Sequence, residues 1–138
     1  MTAAGIRERI SRVDVGTVSM AVVAWLTVIT GTWIDYPWYR ARPPEGTTDL
    51  EPFPRSYLLA NEHLAEWHHF GMEWKEHIAW IAPYLATVVA FGAVYYGRRL
   101  AYEPAVRRLL IWVFVAAFVI AGIAGLFGAL ITKAAPIL

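Results

Sequence analysis

No cysteine occurs anywhere in the chain. That excludes disulfides, iron–sulfur clusters, thiolate zinc sites and a cysteine nucleophile. It says nothing about redox compartment, because a helical membrane unit needs no covalent staples. Charge is scarce as well: charged residues make up 17% of the sequence, against about 25% in an ordinary soluble domain. The balance is near neutral, with a formal net charge of +1, which argues against a protein built to hold nucleic-acid phosphates. No Ser-His-Asp set and no Gly-rich phosphate loop is visible. What fills the sequence instead is apolar: hydrophobic residues reach 58% and the mean hydropathy is +0.45. A disordered segment, a charged coiled coil and an ordinary soluble globule are all poor fits to that composition.

Three segments contain no Asp, Glu, Lys or Arg: Val15–Ile34, His77–Gly97 and Leu109–Ile131, of 20, 21 and 23 residues. Each covers a hydrocarbon core of about 30 Å at about 1.5 Å per residue. Backbone groups in lipid must bond within their own segment, so each is expected to be a helix. The first is too long for the apolar region of a cleavable signal peptide, and bulky residues follow Thr30-Gly31-Thr32. The expectation is an all-α integral membrane protein, residues 1–138 forming a single three-helix transmembrane domain.

The flanks suggest an orientation. Arg7, Arg9, Arg12, Arg98, Arg99, Arg107 and Arg108 lie close to span ends on one side, whereas Arg40, Arg42, Arg55, Lys75 and Lys133 are spread over a longer stretch on the other. Basic residues near span ends stay cytoplasmic, which predicts a cytoplasmic N-terminus and an exoplasmic C-terminus in the cytoplasmic (inner) membrane. Aromatic residues group accordingly: Trp33, Tyr36, Trp38, Tyr39 and Trp80 at the outer boundary, Tyr95, Tyr96, Tyr102 and Trp112 at the inner one.

Residues 35–76 then form an exoplasmic loop and helix. Pro37, Pro43, Pro44, Pro52 and Pro54 predict an extended, stiff segment from Tyr36 to Pro54. Ser56 or Asn61 is placed to cap a polar helix that starts near Glu62 and leads into the second span. Glu103-Pro104 breaks the short Arg98–Arg108 connection, so the second and third spans should be antiparallel neighbours. Small residues form ridges on both: Ala82, Ala86, Ala90, Ala93 and Gly97 on the second, Ala117, Ala121, Gly125 and Ala129 on the third. Such ridges let membrane helices approach closely. They are expected to hold the three helices together, and the third span's ridge is also suited to docking on another subunit.

All four histidines fall between His63 and His77. On a helical wheel with Glu62 at zero, Glu66 lies near about 40°, His69 near about 340°, Glu73 near about 20° and His77 near about 60°. Trp67, Phe70 and Trp74 collect beside them. Carboxylate and imidazole together suit first-row metals such as Fe, Cu or Zn, and Glu66-x-x-His69 has the i, i+3 spacing of diiron carboxylate bundles. Such bundles need a second pair from another helix, which this chain lacks, so a symmetry mate, a partner subunit or the outer loop's Asp35 or Asp49 would have to complete the site. The plain alternative is a solvated polar face. Continuing the wheel brings Trp80, Tyr84 and Phe91 onto the same stripe, readable as lipid-facing aromatics or as a groove for a flat cofactor such as quinone. Haem fits only if a partner subunit shares it, because neither the first nor the third span contains histidine.

The functional expectation is a small subunit of a larger membrane redox or respiratory-type complex. It would offer Glu66, His69, Glu73 and His77 at the exoplasmic face for metal binding or proton transfer. The rival is a structural or assembly subunit, without chemistry of its own, that clamps partners through its small-residue ridge and outer loop. Partners in either case are the lipid bilayer and other membrane subunits or further copies, not nucleic acid. A self-contained enzyme is the weaker expectation, as are a channel or a transporter, whose spans usually hold charge or broken helices.

Overall fold

A computed structural model describes residues 3–135. Among these the chain is helical, with turns and no strand. Helix α1 (Ala3–Thr30) passes through a π-helical turn, Gly31–Asp35, into the short α2 (Tyr36–Tyr39). Helix α3 (Pro54–Leu59) precedes α4 (Glu62–Glu73), and a second π turn, Trp74–Ile78, joins α4 to α5 (Ile81–Tyr96). A 3₁₀ turn, Gly97–Ala101, leads to α6 (Pro104–Ala134).

Three helical stretches are long and apolar enough to cross a membrane: Arg7–Tyr39, Glu62–Ala101 and Pro104–Ala134. The chain is therefore an all-helical, multi-pass membrane protein. Glu62–Ala101 has 40 residues, about 60 Å of helix where a bilayer core takes about 30 Å. The charge-free part, 77–97, is by itself long enough for that core.

Local chemistry explains the boundaries. Asn61 has extended backbone and its side-chain oxygen accepts a 3.0 Å hydrogen bond from the His63 N–H, which caps α4. Pro54 and Pro104 open α3 and α6, where a missing N–H costs nothing. Pro37 sits in the first turn of α2, which continues directly from the π turn. The structure thus corrects the expectation of an extended chain from Tyr36 onward: Tyr36–Tyr39 is helical, and only about residues 41–53 run without helix. Pro83 has no N–H to give the Ala79 carbonyl, and the helix is interrupted at 79–80. Gly97 adopts φ +47°, a left-handed conformation that ends α5 and turns the chain toward α6.

The chain divides into two compact units, Met1–Thr27 with Ile81–Ile120 and Val28–Trp80 with Ala121–Leu138. In the first, the expected ridge on α5 is buried, with Ala82, Ala86, Ala90 and Ala93 all largely inaccessible. Ala86 and Ala90 pack on Ala21, flanked by Met20 and Ala24. The indole N–H of Trp25 donates to Thr87 Oγ1 at 3.0 Å, and its ring meets Tyr84 edge-on at 5.0 Å. A Cβ on Gly92 would lie 2.7 Å from Leu110 Cδ2, so glycine there permits the α5–α6 approach. Gly92→Leu is expected to destabilise the protein in detergent by about 1–3 kcal/mol through overpacking. Gly92→Ala should need only a shift of the Leu110 tip. Thermal melts of the two variants separate these outcomes.

In the second unit, Tyr39, Leu58, Met72, Ile131 and Ala135 form a buried cluster, with Tyr36, Tyr57, Leu64 and Ala134 against it. Phe127 meets Phe70 edge-on at 5.2 Å and Trp74 at 6.2 Å. The α6 ridge differs from expectation. Ala117 is buried, but Ala121, Gly125 and Ala129 are exposed. The reason is rotational: Phe127, Gly128 and Ile131 face the 71–75 segment, as Gly71 and Lys75 show by touching distance, which turns the ridge residues away.

Candidate functional site

The second unit holds a polar cavity of about 130 Å³, lined by Tyr39, Arg40, Arg55, His68, His69, Met72, Glu73 and Glu76. Four pieces of chain supply it. Tyr39 and Arg40 come from the end of α2, just past a π turn. Arg55 comes from the first turn of α3, His68 to Glu73 from α4, and Glu76 from the second π turn. A π turn holds one more residue than an α turn and re-aims the side chains on either side of it. Here both occur where apolar helix gives way to the cavity walls.

At its centre, Tyr39 Oη and His68 Nδ1 lie 2.6 Å apart. The rings are nearly parallel, with centroids at 5.8 Å. Both residues are buried, His68 at 7% exposure and Tyr39 at 8%. Burial pushes the Tyr39 phenol up to about 12, Glu76 and Tyr36 adding to this while Arg55 opposes it. Burial holds the His68 imidazole below the usual histidine range, helped by His69, Arg55 and Arg40 and opposed by Glu76. Both groups are therefore neutral near pH 7. A neutral phenol O–H donates to the Nδ1 lone pair, which assigns the remaining imidazole proton to Nε2.

A second chain runs alongside. Arg40 Nη1 donates to Tyr36 Oη at 2.8 Å, and the Tyr36 hydroxyl donates to Glu76 Oε1 at 2.5 Å. The Arg40 guanidinium also lies 5.2 Å from the Tyr36 ring centroid. Burial and the Glu76 carboxylate raise the Tyr36 phenol above its ordinary value. Arg55 lines the cavity without a hydrogen bond or ion pair among the described residues. Two arginines and two glutamates thus surround a neutral Tyr–His pair whose groups can both give and accept a proton.

The residues proposed from the wheel are divided by the structure. His69 and Glu73 line the cavity. His77 Nδ1 lies 3.3 Å from Glu73 Oε2, an exposed i, i+4 contact, and also 3.2 Å from the Glu73 carbonyl. Glu66 is exposed and lines neither cavity wall. No three His, Cys, Asp or Glu side chains converge as metal ligands among the described residues. The aromatic stripe is exposed at Tyr84 and Phe91. Phe91 stacks on Tyr95 at 5.6 Å, and Trp80 meets Trp33 edge-on at 6.4 Å. The wheel did not single out His68, Tyr39, Arg40 or Arg55. His68 had a signal: it sits between Leu64 and Met72 on the apolar face of α4, where a lone histidine needs a buried partner. Comparison of the chain with known protein families, curated proteins and solved structures gives no match.

Proposed function

We propose that this chain is a small integral subunit of a larger membrane redox or respiratory-type complex and that its polar cavity transfers protons at the exoplasmic face. The observation that carries the reading is the 2.6 Å contact between two buried, neutral groups, Tyr39 and His68. Burying such a pair costs desolvation, and an apolar pair would pack as well. A relay supplies a reason to keep it: as Tyr39 gives its proton to Nδ1 and His68 releases one from Nε2, the phenol oxygen takes up a replacement proton from the cavity, so neither group is left charged. Glu73, Glu76 and His69 are in place around the cavity as exchange partners. The proposed topology, with a cytoplasmic N-terminus and residues 35–76 exoplasmic, rests on the arginines at 98–108 and the N-terminal helix. A metal held by His69 and Glu73 would take its remaining ligands from a partner subunit, and a quinone would lie against Tyr84 and Phe91.

Mild-detergent purification tests this. The expected result is co-purification with redox-active chains, and at least about a hundredfold loss of turnover in His68→Ala with the assembly intact, the lower end of the scale for a lost proton-transfer group. Full turnover in that variant, or the absence of any redox-active partner, overturns the reading. His69→Ala combined with His77→Ala tests the metal version, through the metal content of the purified assembly.

The outward ridge of α6 favours a second reading, a purely structural subunit. A Cβ on Gly122 or Gly125 would meet nothing within 4 Å, which leaves room for a close-packed partner helix. That reading expects Gly125→Leu to dissociate the assembly while the histidine substitutions are silent.

A further inference from the structure

We propose that the α5–α6 hairpin binds the phosphate of an anionic phospholipid, held by Arg98, Arg99, Arg107 and Arg108 at the start of α6. These four arginines fall within eleven residues that contain one acid, Glu103, and no lysine. All four are exposed, and none makes a side-chain hydrogen bond or ion pair among the described residues. By contrast, Arg12 in the same unit is paired with Glu8.

Their depth is set by the apolar stretches on either side. Arg98 directly follows the charge-free segment ending at Gly97, and Arg108 directly precedes the one starting at Leu109. Both pairs therefore stand at the edge of the hydrocarbon, where lipid phosphates lie. Tyr95, Tyr102 and Trp112 are strongly exposed around them, as suits side chains at a headgroup boundary.

Arg107 and Arg108 lie early in α6, just after Glu103 and Pro104, and Arg98 and Arg99 lie in the 3₁₀ turn at the other end of the same short connection. Guanidinium forks have a planar geometry that matches a phosphate bidentately in a way lysine does not. A phosphodiester in the membrane is the anion present at that depth, and phosphatidylglycerol is its simplest form.

The full chain, extracted in mild detergent, is titrated with phosphatidylglycerol and with phosphatidylcholine, and bound lipid is counted by native mass spectrometry. Phosphatidylglycerol is expected to bind at least about tenfold more tightly. R107Q/R108Q should weaken it about twenty-five-fold, since each surface charge contributes about fivefold. R107K/R108K keeps the charge and should fall between the two, so the comparison stands even if the glutamine pair fails to insert. R42Q should leave lipid binding unchanged. Equal retention of the two lipids, or unchanged binding in both 107/108 variants, overturns the proposal and leaves the arginines as topology signals alone. Displacement of the lipid by an equal concentration of inorganic phosphate would also overturn it, by assigning a soluble anion instead.

Discussion

Leu58→Ala is expected to cost about 2–5 kcal/mol of stability, the range for removing a large aliphatic side chain from a closed core. Leu58 is completely inaccessible, although it sits on a six-residue helix in a proline-rich connection. It packs in one cluster with Tyr39, Met72, Ile131 and Ala135. These residues belong to α2, α4, α6 and the residue after α6, so one side chain ties the connection to each of them. Leu59, the next residue, is partly open at 36% exposure, and Leu59→Ala should change stability by less than about 1 kcal/mol. Limited trypsin digestion provides the local reading. Arg40 and Arg55, each followed by a residue other than proline, should become cleavable in Leu58→Ala while the hairpin arginines keep their wild-type rate. Equal effects of the two leucine substitutions would show that α3 is not anchored through Leu58.

The parts of the fold that could be read in advance are those governed by local rules. A run of 20 or more residues without charge has one stable solution in lipid, so all three spans were identifiable. Asn61 followed by a polar helix is a capping pattern, and it forms as expected. The ridge on α5 was also readable, because five small residues on one face have little use except close packing. The identical pattern on α6 shows where this reasoning stops. Small residues state that something can approach, not whether it belongs to the same chain, and α6 turns Phe127 and Ile131 inward instead.

The candidate site was only half visible, for two physical reasons. Glu66, His69, Glu73 and His77 are all exposed, and a wheel counts side chains without knowing which side is covered. The cavity's remaining walls, Tyr39, Arg40 and Arg55, come from segments whose approach to α4 is a tertiary event that periodicity cannot detect. The stripe through Trp80, Tyr84 and Phe91 had a further problem. It was carried at about 100° per residue across the π turn at Trp74–Ile78 and the interruption at 79–80, where that increment does not hold.

Tyr39→Phe should abolish a specific alkaline destabilisation of the protein. The phenol's ordinary value is 10.0 and the fold raises it to about 12, so between these two pH values the unfolded chain has released a proton that the native state still holds. Stability depends on pH through the difference in bound protons. With the native state binding more, stability is fully present below about pH 10 and falls as pH rises toward about 12. His68 gives the opposite edge. Burial holds its imidazole below the ordinary value of 6.5, so on acidification the unfolded chain takes up a proton first, and stability is lost as pH falls below 6.5. Lysines and other tyrosines also titrate on the alkaline side, so the informative quantity is the difference between wild type and Tyr39→Phe. Above pH 10, the wild-type melting temperature should drop more steeply than the variant's. At pH 7 the variant should instead be less stable by about 1–3 kcal/mol, because removing the phenol oxygen strands Nδ1 of a buried histidine. Both effects follow from one contact. Parallel alkaline slopes would show that Tyr39 is not held neutral by its surroundings, and with that the donor of the proposed relay would be lost.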